Sequence, residues 1–80
     1  MHTGMLYFDN DTKKTLSQKI QGAVDYYFKK YGRQPDLCLV HPSMNGEAWT
    51  KGGFIVGDVT VRPYRPVLPG HLWVGVEDKN

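Results

Sequence analysis

Disulfides are the first thing this sequence excludes. Its single cysteine, Cys38, has no partner in the chain, so the fold must rest on packing or on a second subunit. Long hydrophobic runs are missing too. Stretches such as Leu37 to Val40 hold four apolar residues, whereas a membrane-spanning helix needs about 20. Met1 to Asp9 lacks a positive segment followed by a long apolar one, so no secretory leader is expected. With one thiol, this reads as a reducing, cytoplasmic setting. Asn10-Asp11-Thr12 is then expected to start a helix instead of accepting a glycan.

Metal and phosphate motifs are equally absent. His2, Cys38, His41 and His71 are scattered, without a CxxC or a histidine pair at helical spacing. Asp36, Glu47, Asp58 and Glu77 are isolated from one another, which gives no pair for general acid–base work. Gly52-Gly53 reads as a turn, not a phosphate-binding loop. No metal and no cofactor are expected.

What the chain does have suits one small domain spanning residues 1–80, with 1–4 and 77–80 expected to be loose ends. A chain this short buries about 60–65% of its unfolded surface, enough for one thin core. Hydrophobic residues make up 40% and charged residues 22%, which excludes general disorder. The net charge of +2 is unevenly spread. Between Thr12 and Arg33 stand Lys13, Lys14, Lys19, Lys29, Lys30 and Arg33 against Asp25 alone, so one element carries the positive charge.

That element is a helix by its spacing. Leu16, Ile20, Ala23, Val24, Tyr27, Phe28 and Tyr31 fall within an arc of about 140°. Asn10, Asp11 and Thr12 offer N-caps, and Gly32 offers a C-cap. Met5 to Phe8 reads as an edge strand or an arm. Leu37 to Val40, apolar on both strand faces, reads as a buried central strand ending at His41-Pro42. Residues 42–53 read as a loop with a helical turn at Glu47-Ala48-Trp49. Phe54 to Arg62 is one strand with a bulge at Gly57, or two strands joined at Gly57-Asp58. In both cases Val59 and Val61 share a face, opposite Thr60 and Arg62. Pro63 to Gly70 reads as a stiff loop unfit for pairing, and Leu72, Val74 and Val76 alternate in a final strand. The expected fold is α+β: one amphipathic helix on one face of a small, mostly antiparallel sheet of three to four strands, in the order β-α-β-β-β. A long helix, a strand ending in His41-Pro42 and a later glycine-bearing β segment look similar in element order to the peripheral domain of tailed-phage capsid proteins. That likeness carries no residue role.

Two surfaces are candidate sites. If Leu72, Val74 and Val76 face the helix, Trp73 and His71 face the other way. There Arg62, Tyr64 and Arg65, held among Pro63, Pro66 and Pro69, could join them in binding a partner. Cover for Trp73 is expected from the N-terminal segment, from the 42–53 loop with Trp49, or from another molecule. The second surface is the helix flank where Lys19, Tyr26, Lys30 and Arg33 lie within about 60° of each other. Bases and phosphates suit such a flank, with Tyr26 and Lys30 near enough to touch. The bland reading is a solvated face. Nucleophilic chemistry has poor raw material. Cys38 and His41 point to opposite strand faces, Cys38 sits among Leu and Val, and Ser43 follows His41 in no activating pattern.

Three functional classes follow. The first is a protein-interaction module, self-association included, since a thin core gains from a partner. The second is a nucleic-acid-binding accessory protein using the basic flank. A small enzyme comes third, with no positive feature in its favour.

Overall fold

The computed structural model describes residues 3–44 and 53–77. In chain order the elements are β1 (Thr3–Phe8), α1 (Leu16–Tyr31), β2 (Leu37–Val40), a 3₁₀ turn at Pro42–Met44, β3 (Phe54–Val56), β4 (Val59–Pro63) and β5 (His71–Val76). The readings for Glu47 to Trp49, and for Trp49 as cover, fall outside the described residues.

The strands form one sheet in the order β1-β5-β2-β4-β3, antiparallel except for β2 beside β4. The class is the expected α+β, with one helix on a mostly antiparallel sheet. There are five strands where three to four were expected. Met5 to Phe8 does pair, along β5. Phe54 to Pro63 divides at Gly57-Asp58 into two strands, with Val56 opposite Val59. Gly57 has φ 59°, and among the described residues no non-glycine residue has positive φ. The turn therefore takes positive φ at its first central residue only, the pattern of a type II′ hairpin that glycine permits. Pro63, assigned above to the unpaired loop, ends β4 and pairs with Val40. β3 stops pairing at Val61, so the missing proline N–H costs the sheet nothing there.

β1 and β2 both run antiparallel to β5, which lies between them, so they share a direction. The helix linking them packs chiefly over β5. Ile20, Ala23, Val24 and Tyr27 are buried against Cys38, Val40, Val59, Val61, Leu72 and Val74. The apolar stripe is narrower than its spacing implies. Phe28 is 52% exposed and Tyr31 49%. Phe28 points about 90° from the centre of the buried four. Tyr31 ends the helix and leans on the Tyr27 ring, 4.7 Å away between centroids.

The helix start corrects the sequence reading. The N-cap is Thr15, not Asn10, Asp11 or Thr12. Thr15 Oγ1 accepts from the Gln18 backbone N–H at 3.2 Å, and Gln18 Oε1 accepts from the Thr15 N–H at 2.9 Å, a reciprocal capping box. At the other end Gly32, with φ 67°, donates to the Phe28 carbonyl, as expected of the C-cap. The acidic cluster builds the turn before the helix instead. Asp9 is buried, accepts the Asp11 N–H at 3.0 Å, and meets the Lys14 ammonium at 3.2 Å. Asp11 in turn accepts the Lys13 N–H.

Two predictions follow from this corner. Thr15→Ala should cost about 1 kcal/mol in urea denaturation, while Thr12→Ala should leave the midpoint where it is. Asp9 gives a pH signature. The Asp11 N–H, first, and then Lys14 hold its carboxyl below the ordinary 3.8. A depressed carboxylate stabilises above its unfolded value and loses that contribution as pH falls through the folded one. The stability gap between wild type and Asp9→Asn should therefore hold at neutral pH and close below about pH 4. Lys14 is raised above 10.5, mainly by its hydrogen bond to Asp9. Its contribution is complete below that value and is lost as pH rises through the higher folded one.

Candidate functional site

Strand alternation decides which side chains the helix leaves uncovered. Leu72, Val74 and Val76 face α1, so His71 and Trp73 face away, as the sequence implies. The register places Leu6, Trp73, Leu39 and Arg62 in one row across β1, β5, β2 and β4. The next row is Gly4, Gly75, Leu37, Thr60 and Ile55. This open face is mostly apolar. Leu6 is 61% exposed, Phe8 57%, Ile55 70% and Leu68 65%.

Trp73 is neither fully covered nor fully exposed. Two local devices shelter it. A Cβ on Gly4 would overlap Trp73 Cζ2 and come 2.6 Å from the Val74 carbonyl oxygen, so the indole lies down over the glycine of the neighbouring strand. The second is the 64–70 loop. It joins β4 to β5 across the end of β2, because those two strands are not neighbours. Tyr64 N–H donates to the Val40 carbonyl at 2.7 Å, and Val67 is 7% exposed. Val67 and Tyr64 line a groove of about 280 Å³ with Leu39 and Trp73. A second groove of about 320 Å³ adjoins it, lined by Leu6, Tyr64, Pro66, Val67, Leu68, His71 and Trp73. Of the covers expected, the N-terminal segment is represented by β1; the loop beside Trp73 among the described residues is the proline-rich 64–70 segment, which was not the loop expected there.

The partner-binding candidates separate. Trp73, His71 and Tyr64 meet in the larger groove. His71 stacks on Phe8 at 4.9 Å, and its buried Nδ1 has no hydrogen-bond partner among the described residues. Arg62 stands on the same face but lies 3.5 Å from the Glu77 carboxylate, at the rim. Arg65 is exposed and lines neither groove. The sequence reading missed Leu6, Leu39, Pro66, Val67 and Leu68. Alternation could have found the first two, since Leu6 shares parity with Phe8 and Leu39 lies opposite in sense to Cys38. Nothing local marks Val67 and Leu68.

The basic flank is less organised for stacking than its spacing suggests. Tyr26 is 51% exposed, but its ring packs on Tyr7 at 5.7 Å. The Lys30 ammonium sits 5.6 Å from the Tyr31 ring instead of meeting Tyr26. Lys19 is half-buried and adds its charge to the pull on Asp9. Arg33 is exposed.

The catalytic raw material differs in one respect. His41 Nδ1 lies 2.8 Å from Ser43 Oγ, so these two do come together. The same Nδ1 accepts the Ser43 backbone N–H at 3.1 Å. Both contacts close a local turn two residues long. Cys38 is buried, and desolvation pushes its thiol up to about 12, so no thiolate forms near neutral pH. Among the described residues no group of three or more His, Cys, Asp or Glu could hold a metal ion, and no helix is long and apolar enough to cross a membrane.

In comparisons with known proteins, no family model, no curated protein and no solved structure matches the chain.

The Trp73–Gly4 packing is directly testable. Gly4→Ala forces the indole off its seat and should cost about 1–3 kcal/mol by urea denaturation. In a Trp49→Phe background the Trp73 emission should shift to the red. An unchanged midpoint and spectrum would show that the ring does not rest on Gly4.

Proposed function

We propose that this chain is a protein-interaction module that receives an uncharged, apolar segment of a partner protein on the sheet face opposite the helix. The observation that carries this reading is the groove between Trp73 and the 64–68 loop, flanked by Leu6 and Leu68, which are 61% and 65% exposed. Among the described residues its lining holds no Lys, Arg, Asp or Glu and is mainly apolar, which suits aliphatic or aromatic side chains. The loop is stiffened by Pro63, Pro66 and Pro69, which lowers the ordering cost of binding. Arg62 and Arg65 stand at the margin, where charge guides encounter more than it adds affinity.

The basic flank is the competing surface, and one experiment separates the two. Peptides selected from a random library should be apolar and should perturb the amide resonances of Tyr64, Leu68 and His71. Leu68→Ser should weaken the selected peptide by roughly 5- to 30-fold, since about 1–2 kcal/mol of apolar burial is lost. Folding should be untouched, because Leu68 is exposed. If no peptide is enriched, and an oligonucleotide instead shifts Lys19, Lys30 and Arg33 with a steep loss of affinity in salt, the groove reading is wrong.

A further inference from the structure

Among the described residues β1 pairs on one side only, with β5, and so forms one edge of the sheet. Sheet edges in stable monomers are usually blunted by lysine, proline, a bulge or shortness. β1 has none of these: it is Thr-Gly-Met-Leu-Tyr-Phe, six residues without charge or proline. The other edge, β3, is three residues long.

The hydrogen bonds show which backbone groups β1 leaves open. Asp9 N–H donates to the Gly70 carbonyl, so in this antiparallel ladder Met5 and Tyr7 also turn their N–H and C=O toward β5. His71 N–H is used by the Leu68 carbonyl, which agrees with Phe8–His71 being the non-bonded kind of pair. Gly4, Leu6 and Phe8 therefore present their backbone groups outward. Leu6 and Phe8 also carry their exposed side chains on the open face.

We infer that β1 pairs with β1 of a second copy, antiparallel about a two-fold axis at Leu6. This register sets Leu6 against Leu6 of the copy and Gly4 against Phe8. Each of these pairs exchanges two backbone hydrogen bonds, and the open residues Gly4, Leu6 and Phe8 are all satisfied. Centring the axis on Met5 or Tyr7 leaves Phe8 or Gly4 without a strand partner. Side chains agree with the choice. Gly4 has Trp73 lying over it, so the Phe8 ring of the copy would arrive beside the indole, while Leu6 meets its own equivalent. On the helix face Met5 stands opposite Tyr7. An isologous contact of this kind closes after two copies.

Area sets the expected strength. Leu6 and Phe8 expose about 200 Å² together in each copy, given side chains of this size. With the strand backbone the total stays below the roughly 1,200 Å² of a standard interface, in the class of weak assemblies. Charge sets the salt dependence. Tyr26 packs on Tyr7, so Lys19 and Lys30, on the same helix flank as Tyr26, lie on the β1 side of the helix. Pairing brings two such flanks within roughly 15 Å, given strand spacing, so added salt should strengthen association by screening them. Nucleic-acid binding has the opposite dependence.

Sedimentation over a concentration series tests this, with amide hydrogen exchange at both ends of the series. The expected result is a dimer with Kd on the order of 10–500 μM, tighter in salt, with concentration-dependent protection at Gly4, Leu6 and Phe8 but not at Met5 or Tyr7. Leu6→Lys places like charges on the axis and should weaken the dimer at least about tenfold. Leu6→Pro removes an outward N–H, leaves the β1–β5 ladder whole, and should do the same. Ile55→Lys, on the other edge, should not. A monomer at every concentration, protection at Ile55, or loss of the dimer in Ile55→Lys alone would overturn the inference. Leu6 also lines the groove, so the groove reading is scored separately, through peptide binding to Leu68→Ser.

Discussion

One helix can cover only one face of a sheet, and the described residues form one α-helix and five strands. At 16 residues, α1 is about 24 Å long and about 10 Å wide, while five strands span roughly 24 Å across. The helix lies along β5 and buries Leu72, Val74 and their neighbours on that side. Everything on the opposite face must be handled by short-range means. Leu37 is buried within the sheet row. Trp73 lies down over Gly4. Val67 folds in from the loop. Leu6, Phe8, Ile55 and Leu68 are left exposed. The surface proposed for binding is the remainder of this coverage problem.

Much of the fold could be read from the sequence because its signals were local and periodic. The α1 stripe, the Gly32 cap, the two-sided apolar run of β2, and the alternation of β5 each depend on residues a few positions apart. The errors came where local signals competed. Asn10-Asp11-Thr12 looks like an N-cap because Asp and Asn accept backbone N–H groups. Here Asp9 and Asp11 do so in a turn one step earlier, and the Thr15–Gln18 pair takes the cap. Gly57-Asp58 allowed either a bulge or a turn, and the pairing of Val56 with Val59 settled it. β4 also pairs in parallel with β2, and the following loop crosses the sheet end to reach β5.

The site was legible in part for the same reason. Alternation places Trp73 and His71 opposite the helix without knowledge of strand order. Which side chains stand next to them depends on that order, which arises from pairing between distant segments. Leu6 reaches Trp73 because β1 adds beside β5, and Leu39 does so because β2 lies on the other side. Val67 and Leu68 enter only because β4 and β5 are not neighbours. The basic flank shows the converse limit. Helical spacing grouped Lys19, Tyr26, Lys30 and Arg33, but the sheet engages Tyr26 through Tyr7, and Lys30 settles over Tyr31.

Trp73 is therefore a poor place to separate folding from binding. Its indole seals the sheet over Gly4 and also forms a groove wall, so removing it opens a cavity and empties a surface at once. A large aromatic truncated in such a position costs about 3–5 kcal/mol, a large share of the few kcal/mol that hold a domain of this size together. A loss of binding in such a variant would say nothing about recognition. Leu68 and Leu6 differ in kind. Both lie in the same groove, both are mostly exposed, and neither belongs to the buried cluster against α1. Substitution there changes the surface and leaves the core intact. That separates folding from the binding proposed for the uncovered face of this one-helix sheet.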